Sequence, residues 1–292
     1  MNKKIWNYSA LHFAIFAWGA SGVTAGLMSM SAAGITVYRS AIAFVVLLAF
    51  NYIIKASAKL TNHEKMQLLI TGMILGVHWL CFFTSIKYST VSIALICIAS
   101  GPIFVAIIQP FLDKLPIKKS QIILGSTSIV ALAIIFEFES QYKIGIIIGL
   151  LAGFLDAIYT VYTARINPQI KSSVVAQYQL FGAAAIIFVA FMFIEPNWQW
   201  LAVVTVADIW GVIFLGVVCS AIAMSLYVFA IKKLSPFTAI LSLNLEAVYG
   251  IVLALIIFGE KEYMSAGLYF GGAMLICCVA ADGYLSRNAK TA

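Results

Sequence analysis

The chain consists of long apolar runs separated by short polar segments. A helix needs about 20 apolar residues to cross a bilayer. By this measure the pattern predicts ten spans, at 9–29, 32–54, 67–86, 90–111, 118–136, 144–164, 174–194, 209–230, 237–258 and 265–285. The longest connection, Glu195–Asp208, carries Trp198 and Trp200. Tryptophan is enriched at membrane interfaces, so we expect this segment to lie on the membrane surface.

The composition excludes an ordinary water-soluble domain. The 292 residues are 63% hydrophobic and 10% charged, with a mean hydropathy of +1.03. Soluble domains carry about 25% charged residues. The net charge of +7 does not indicate nucleic-acid binding, because the basic residues lie in short loops rather than in one patch. We therefore predict an all-α polytopic membrane protein whose surroundings are the lipid bilayer.

The distribution of basic residues predicts the orientation. With the N-terminus inside, 14 of the 18 Lys and Arg residues lie on the cytoplasmic side, Arg39 lies within a span, and three lie outside: Lys87, Lys143 and Lys261. Cytoplasmic loops of membrane proteins carry an excess of Lys and Arg. We expect a multi-pass protein of the cytoplasmic (inner) cell membrane with both termini in the cytoplasm. The first apolar run is as long as a span, which argues against a cleaved signal peptide.

The two halves of the sequence are similar to each other. The pairs Ile86–Lys87 and Ile231–Lys232 are 145 residues apart, as are Ala94 and Ala239. Five spans in each half make the second half enter the membrane from the opposite side, so we predict inverted repeats at 1–137 and 138–292. Such repeats are typical of transporters, with the substrate site between them. A chance match between short apolar strings is the alternative.

The sequence resembles the EamA-type members of the drug/metabolite transporter superfamily. The resemblance covers nearly the whole chain and depends on GPIFVAIIQPFLDKLPIKKSQIILG in the first half and SPFTAILSLNLEAVYGIVLALIIFGE in the second. Pro102 matches a helix-breaking proline, and Asp113 and Glu260 stand where an acid follows the helix. Ala247 stands where many relatives have proline.

The resemblance implies a ten-helix, basket-like bundle. Its central cavity would be lined by spans 1, 3, 4, 6, 8 and 9. Members of this superfamily move small metabolites, often outward, and include amino-acid exporters. The resemblance identifies the superfamily much better than it identifies the substrate.

Four ionisable residues lie well inside predicted spans: Arg39, His78, Asp156 and Glu246. An ionised carboxylate at the bilayer centre costs at least about 2.5 kcal/mol, so such groups usually face a cavity, a partner or a proton path. If Arg39 pairs with one acid, the other remains to bind an ammonium group or to exchange a proton. Alternatively, Glu246 is structural and Arg39 anchors backbone carbonyls.

Further residues are candidates for the cavity wall. Trp18 and Trp79 lie far from the interface where tryptophan is usual, and Phe82 follows His78 by one helical turn. Tyr159 follows Asp156 at helical spacing. Asn244 lies about 200° around the helix from Glu246, and packing or interhelical hydrogen bonds are the alternative for all of these. The remaining candidate is Ser100.

Glycines recur at the spacing of close helix contacts. The sets are Gly72–Gly76, Gly145–Gly149–Gly153 and Gly267–Gly271. Such faces let helix backbones approach each other. The contacts would form either within the bundle or in a homodimer.

The sequence contains no enzyme signature such as a phosphate-binding Gly-rich loop, HExxH or a nucleophile elbow. We expect no catalysis, cofactor or metal. The prediction is a gradient-driven transporter of small polar metabolites, which exports amino acids or related compounds by alternating access, with the proton as a candidate partner. The alternatives are a nucleotide-sugar or cationic-drug carrier, or a membrane-embedded enzyme or sensor.

Overall fold

A computed structural model describes residues 3–56, 60–114, 119–231 and 236–288, and every regular element in these ranges is a helix. The first half contains α1 (Lys3–Leu27), α2 (Ala32–Ile53), α3 (Asn62–Tyr88), α4 (Val91–Ile98), α5 (Gly101–Asp113) and α6 (Lys119–Phe138). The second half contains α7 (Lys143–Thr163), α8 (Ser172–Ile194), α9 (Val206–Gly216), α10 (Ala223–Ile231), α11 (Pro236–Phe258) and α12 (Ala266–Asn288). The predicted all-α membrane class is confirmed.

Within the described ranges, seven helical stretches are long and apolar enough to cross a membrane. They coincide with predicted spans 1 to 4 and 6 to 8. The other three predicted spans coincide with α6, α11 and α12, which are not among the seven. The two-repeat, all-helical architecture therefore holds, whereas the count of ten membrane spans is not confirmed.

Two of the predicted spans are interrupted helices. The chain turns at Ala99 and Ser100 between α4 and α5, and Pro102 lies in the first turn of α5. Proline is favoured there because amides of the first turn have no intrahelical partner. A π-helical segment, Val217–Ile222, joins α9 to α10. By contrast, α11 continues without a break through Ala247.

The contacts between helices in the first half have equivalents in the second half. In the first half α1 packs on α10 and α11, and its counterpart α7 packs on α3 and α4. The pairs α2–α8, α4–α11 and α6–α12 each join a helix to its own counterpart. This pattern fits two repeats related by an approximate two-fold axis. It places the space between the repeats at the centre of the bundle.

The glycine sets bring helices of this chain into backbone contact. A Cβ atom at Gly72 would lie 2.2 Å from the carbonyl oxygen of Gln179, and one at Gly76 would lie 2.7 Å from that of Ala183. The glycines of α7 face α3 and α4, and Gly267 and Gly271 of α12 face α6. These faces are occupied within the chain, and a homodimer stays a prediction.

Charged side chains tie helix ends together at one end of the bundle, the end predicted to face outward. The Glu262 carboxylate accepts hydrogen bonds from the amides of Val91 (3.0 Å) and Ser92 (2.9 Å), and thereby caps α4. The Asp208 carboxylate accepts from the Ser29 amide at 2.7 Å. Hydrogen bonds to an ionised acceptor are stronger than neutral ones. The outer ends of α1, α4, α9 and α11 are thus held in place.

The connection between α8 and α9 is more deeply packed than its sequence indicates. The Trp200 side chain is only 2% exposed and packs against Phe188 and Phe191. The Ser31 hydroxyl donates a hydrogen bond to the Trp200 carbonyl at 2.7 Å. The Trp200 ring is thus covered by protein, whereas Trp198 is 44% exposed, and the location of the segment at the membrane surface stays a prediction.

Candidate functional site

A cavity lies between the two halves of the bundle. Seven helices, from both halves, supply its walls: α1, α2, α3, α4, α7, α10 and α11. The lining residues are Trp18, Ser21, Arg39, Leu75, His78, Trp79, Phe82, Ile98, Asp156, Tyr159, Met224, Tyr227, Leu243 and Glu246. Its position matches the space that inverted-repeat transporters use for substrate.

The cavity brings together most residues that the sequence singles out. Eight of the predicted residues line it: Trp18, Arg39, His78, Trp79, Phe82, Asp156, Tyr159 and Glu246. The helices that line it correspond to predicted spans 1, 3, 4, 6, 8 and 9, with one addition. Arg39 brings α2 into the wall.

Arg39 is a buried cation held by neutral groups. Its Nε donates to the Ser220 hydroxyl at 2.9 Å, and a terminal nitrogen donates to the Cys219 carbonyl at 3.4 Å. The guanidinium carbon lies 3.8 Å from the centre of the Trp79 ring, a distance at which a cation is attracted to the ring face. These contacts orient the guanidinium without neutralising its charge.

The π-helical segment shapes this wall. The Cys219 carbonyl accepts hydrogen bonds from Arg39 and from the Trp18 indole, the latter at 2.8 Å. The Ser220 hydroxyl, which accepts from Arg39, also donates to the Leu215 carbonyl five residues earlier. A π-bulge displaces backbone groups from the regular helical ladder. It thereby presents acceptors to both side chains.

His78 connects α3 to α7 close to Asp156. Its Nδ1 lies 2.9 Å from the carbonyl oxygen of Ala152, one helical turn before Asp156. A carbonyl only accepts hydrogen bonds, so Nδ1 carries a proton in this contact. His78 and Asp156 both line the cavity. The contact orients the ring beside the first acid.

The two acids come from different repeats and face the same cavity. Asp156 lies on α7 and Glu246 near the middle of α11, and both line the cavity together with Arg39. The Asp156 carboxylate also lies beside the start of α5, since a Cβ atom at Gly101 would be 3.5 Å from Oδ2. A helix N-terminus favours negative charge. The start of the second half of the broken helix therefore lies next to one of the acids.

The offset between the repeats relates Glu246 to this break. Shifting by the 145 residues that separate Ile86 from Ile231, Glu246 corresponds to Gly101. The first repeat thus has a helix start at the position where the second repeat has a carboxylate. The two features meet at the centre of the bundle, both near Asp156.

Tyr159 lines the cavity and also belongs to a buried hydrogen-bond network. Its hydroxyl donates to Gln179 Oε1 at 3.1 Å, and the Gln179 amide nitrogen donates to Thr163 at 3.0 Å and to Thr71 at 3.2 Å. This buried network joins α3, α7 and α8. Tyr159 therefore links the cavity to the packing behind it.

Other predicted residues lie elsewhere. Ser100 is buried at the helix break, where its hydroxyl donates to the Cys97 carbonyl, and it is not among the lining residues. Asn244 and Pro102 lie on helices, but their side chains are outside the described part of the chain.

Thr160 and Tyr227 were not predicted from the sequence as site residues. Their hydroxyls lie near each other, yet neither completes a hydrogen bond with a described residue. Thr160 follows Asp156 by one helical turn, a spacing that was available as a signal. Tyr227 offered none, because a tyrosine in an apolar run usually packs.

In the described residues no group of three His, Cys, Asp or Glu side chains is arranged to hold a metal ion.

Comparisons with known proteins agree with this architecture. The family model described as EamA-like transporter family matches residues 5–137 and 143–280. A comparison with curated protein sequences gives no match. A chain in a solved crystal structure is similar over 97% of this chain and 98% of its own length, with a TM-score of 0.66 and 17% identity. At that identity the likeness shows the fold alone.

Proposed function

The chain belongs to the EamA-like transporter family, and on this premise we propose that it is a secondary active transporter of small polar metabolites. It exports amino acids or related compounds by alternating access. The observation that carries the proposal is the cavity between the repeats, which holds one guanidinium, from Arg39, and two carboxylates, from Asp156 and Glu246. Inverted-repeat transporters bind substrate at this interface, beside discontinuous helices.

The charges suit a small zwitterion. Asp156 and Glu246 attract an ammonium group, and Arg39, whose hydrogen bonds go to neutral acceptors, attracts a carboxylate. The Trp18 ring, which also lines the cavity, adds cation–π attraction of about 0.5–2 kcal/mol. A substrate that carries both charges leaves one acid in excess. This acid takes up or releases a proton during the cycle, which couples export to the proton gradient.

Alternating access uses the ties at the outer end. The contacts of Glu262 with α4 and of Asp208 with the segment after α1 hold the outer ends of the helices together. Export requires these contacts to break when the repeats rock about the cavity. The buried charges then face the opposite side of the membrane.

A cationic-drug carrier is the second candidate, because two acids and two indole rings also suit a bulky organic cation. A nucleotide-sugar carrier needs a basic cluster for its phosphates. Among the lining residues only Arg39 has a fixed positive charge, which disfavours that function. A membrane-embedded enzyme or sensor is the alternative from another class.

Reconstitution into liposomes separates these functions. Proteoliposomes are loaded with a mixture of isotope-labelled amino acids, amines and nucleotide sugars, and efflux is followed by mass spectrometry. The proposal expects efflux of unmodified amino acids. Efflux of organic cations alone supports the second candidate, and conversion of a solute without flux overturns the assignment as a transporter.

A further inference from the structure

A second space opens from the cavity at the break between α4 and α5. It shares Ile98, Asp156, Leu243 and Glu246 with the main cavity. We call it the side chamber. The residues that line it alone are Leu95, Ala99, Gly101, Val105, Thr160 and Ala247. The two acids therefore stand where the spaces join.

Small residues keep the side chamber open. Gly101 has no side chain, and Ala99 and Ala247 each contribute one carbon atom. Two residues, Ala99 and Ser100, interrupt the regular helix at the same wall. Ala247 is 2% exposed and Val105 is 6% exposed, so both point into protein rather than into lipid.

The walls define what the chamber accepts. Apart from the two shared acids, they are apolar except for the Thr160 hydroxyl, which completes no hydrogen bond with a described residue. Buried polar groups are normally hydrogen-bonded, so this hydroxyl is available to a ligand. Burying a second charge against apolar walls is costly. The chamber therefore fits an uncharged group with at most one or two polar atoms.

We propose that the side chamber holds the side chain of a zwitterionic amino acid, and that Ala247 and Val105 set the largest uncharged side chain that is transported. The inference rests on the proposed function. Ammonium, carboxylate and side chain of an α-amino acid leave the same carbon in different directions. With the ammonium group at the two acids and the carboxylate directed to Arg39 in the main cavity, the third substituent enters the chamber.

The test is substrate selectivity in a volume-changed variant. Counterflow of labelled alanine and leucine is measured in proteoliposomes with the wild type, Ala247→Leu and Val248→Phe. Val248 is the next residue of α11 and is 39% exposed, so its enlargement is the matched control. In Ala247→Leu we expect leucine counterflow to fall about tenfold or more relative to alanine, since one methylene in a pocket changes selectivity about 10-fold or more. The control keeps the wild-type ratio.

If Ala247→Leu does not fold, a second variant tests whether the side chamber limits the size of the transported side chain. Val105→Ala enlarges the chamber, and transport of phenylalanine should rise relative to leucine. If the wild type transports no amino acid, the proposed function is wrong. A different result would be that the wild type transports amino acids, but the variants that fold change the transport rates of all substrates equally. In that case the proposed role of the side chamber is wrong, and the assignment as a transporter stands.

Discussion

The guanidinium of Arg39 lies 3.8 Å from the centre of the Trp79 ring, inside the cavity between the repeats. Its other partners, Ser220 and Cys219, are in the π-helical segment of the opposite repeat. A cation from one repeat is therefore oriented by the other. Any movement of the repeats relative to each other also moves this charge.

Replacing Arg39 by lysine should lower transport more than stability. Lysine keeps the charge but cannot reach two acceptors with a planar fork. We expect the transport rate to fall about tenfold, equivalent to about 1.4 kcal/mol. A double-mutant cycle of Arg39→Lys and Ser220→Ala measures the coupling free energy between the two side chains. This should be about 0.5–3 kcal/mol for side chains in contact. Additive effects of the two substitutions contradict the proposed link.

The His78 contact distinguishes between two amide replacements. The ring donates from Nδ1 to Ala152, and an asparagine amide occupies nearly the same position. We expect His78→Asn to retain thermal stability close to that of the wild type, whereas His78→Gln, whose amide lies farther from the backbone, loses the contact. Thermal unfolding in detergent checks the order. Equal stability of the two variants argues against the contact.

Glu262 and Glu260 provide a matched pair at the outer end. Glu262 is buried and caps α4, whereas Glu260 is exposed. Glu262→Gln replaces two charge-assisted hydrogen bonds, and the expected loss of stability is about 1–3 kcal/mol. Glu260→Gln should change stability by no more than about 0.5 kcal/mol. Similar losses in both variants would contradict a capping role for Glu262.

Close packing predicts different outcomes for two Gly→Ala changes. A Cβ atom at Gly72 would lie 2.2 Å from a backbone oxygen of α8, which cannot move without separating the helices. One at Gly272 would lie 3.0 Å from the end of the flexible Ile96 side chain. We expect Gly72→Ala to cost about 1–3 kcal/mol or more, the range for overpacking. Gly272→Ala should fold normally, and yields of folded protein give the comparison.

The parts of the site that were predictable are those with a rare chemical signal. A charge or a histidine within an apolar run is costly, so Arg39, His78, Asp156 and Glu246 stood out from sequence. Tyr227 and Thr160 did not, since their types are common in packed helices. The π-helical segment leaves no residue signature, because it results from tertiary packing. Trp198 and Trp200 both fitted the interface belt from sequence, but the Trp200 ring packs against Phe191 of α8, a burial that its residue type does not reveal.

The most direct test of the central claim is amino-acid counterflow and its pH dependence in the wild type, Glu246→Gln and the control Glu260→Gln. Both substitutions change the same chemical group, one in the cavity and one at the exposed outer end. We predict that Glu246→Gln abolishes proton-driven transport and flattens the pH dependence of residual exchange, while Glu260→Gln behaves like the wild type. Unchanged rate and pH dependence in Glu246→Gln would contradict a role of this cavity in transport.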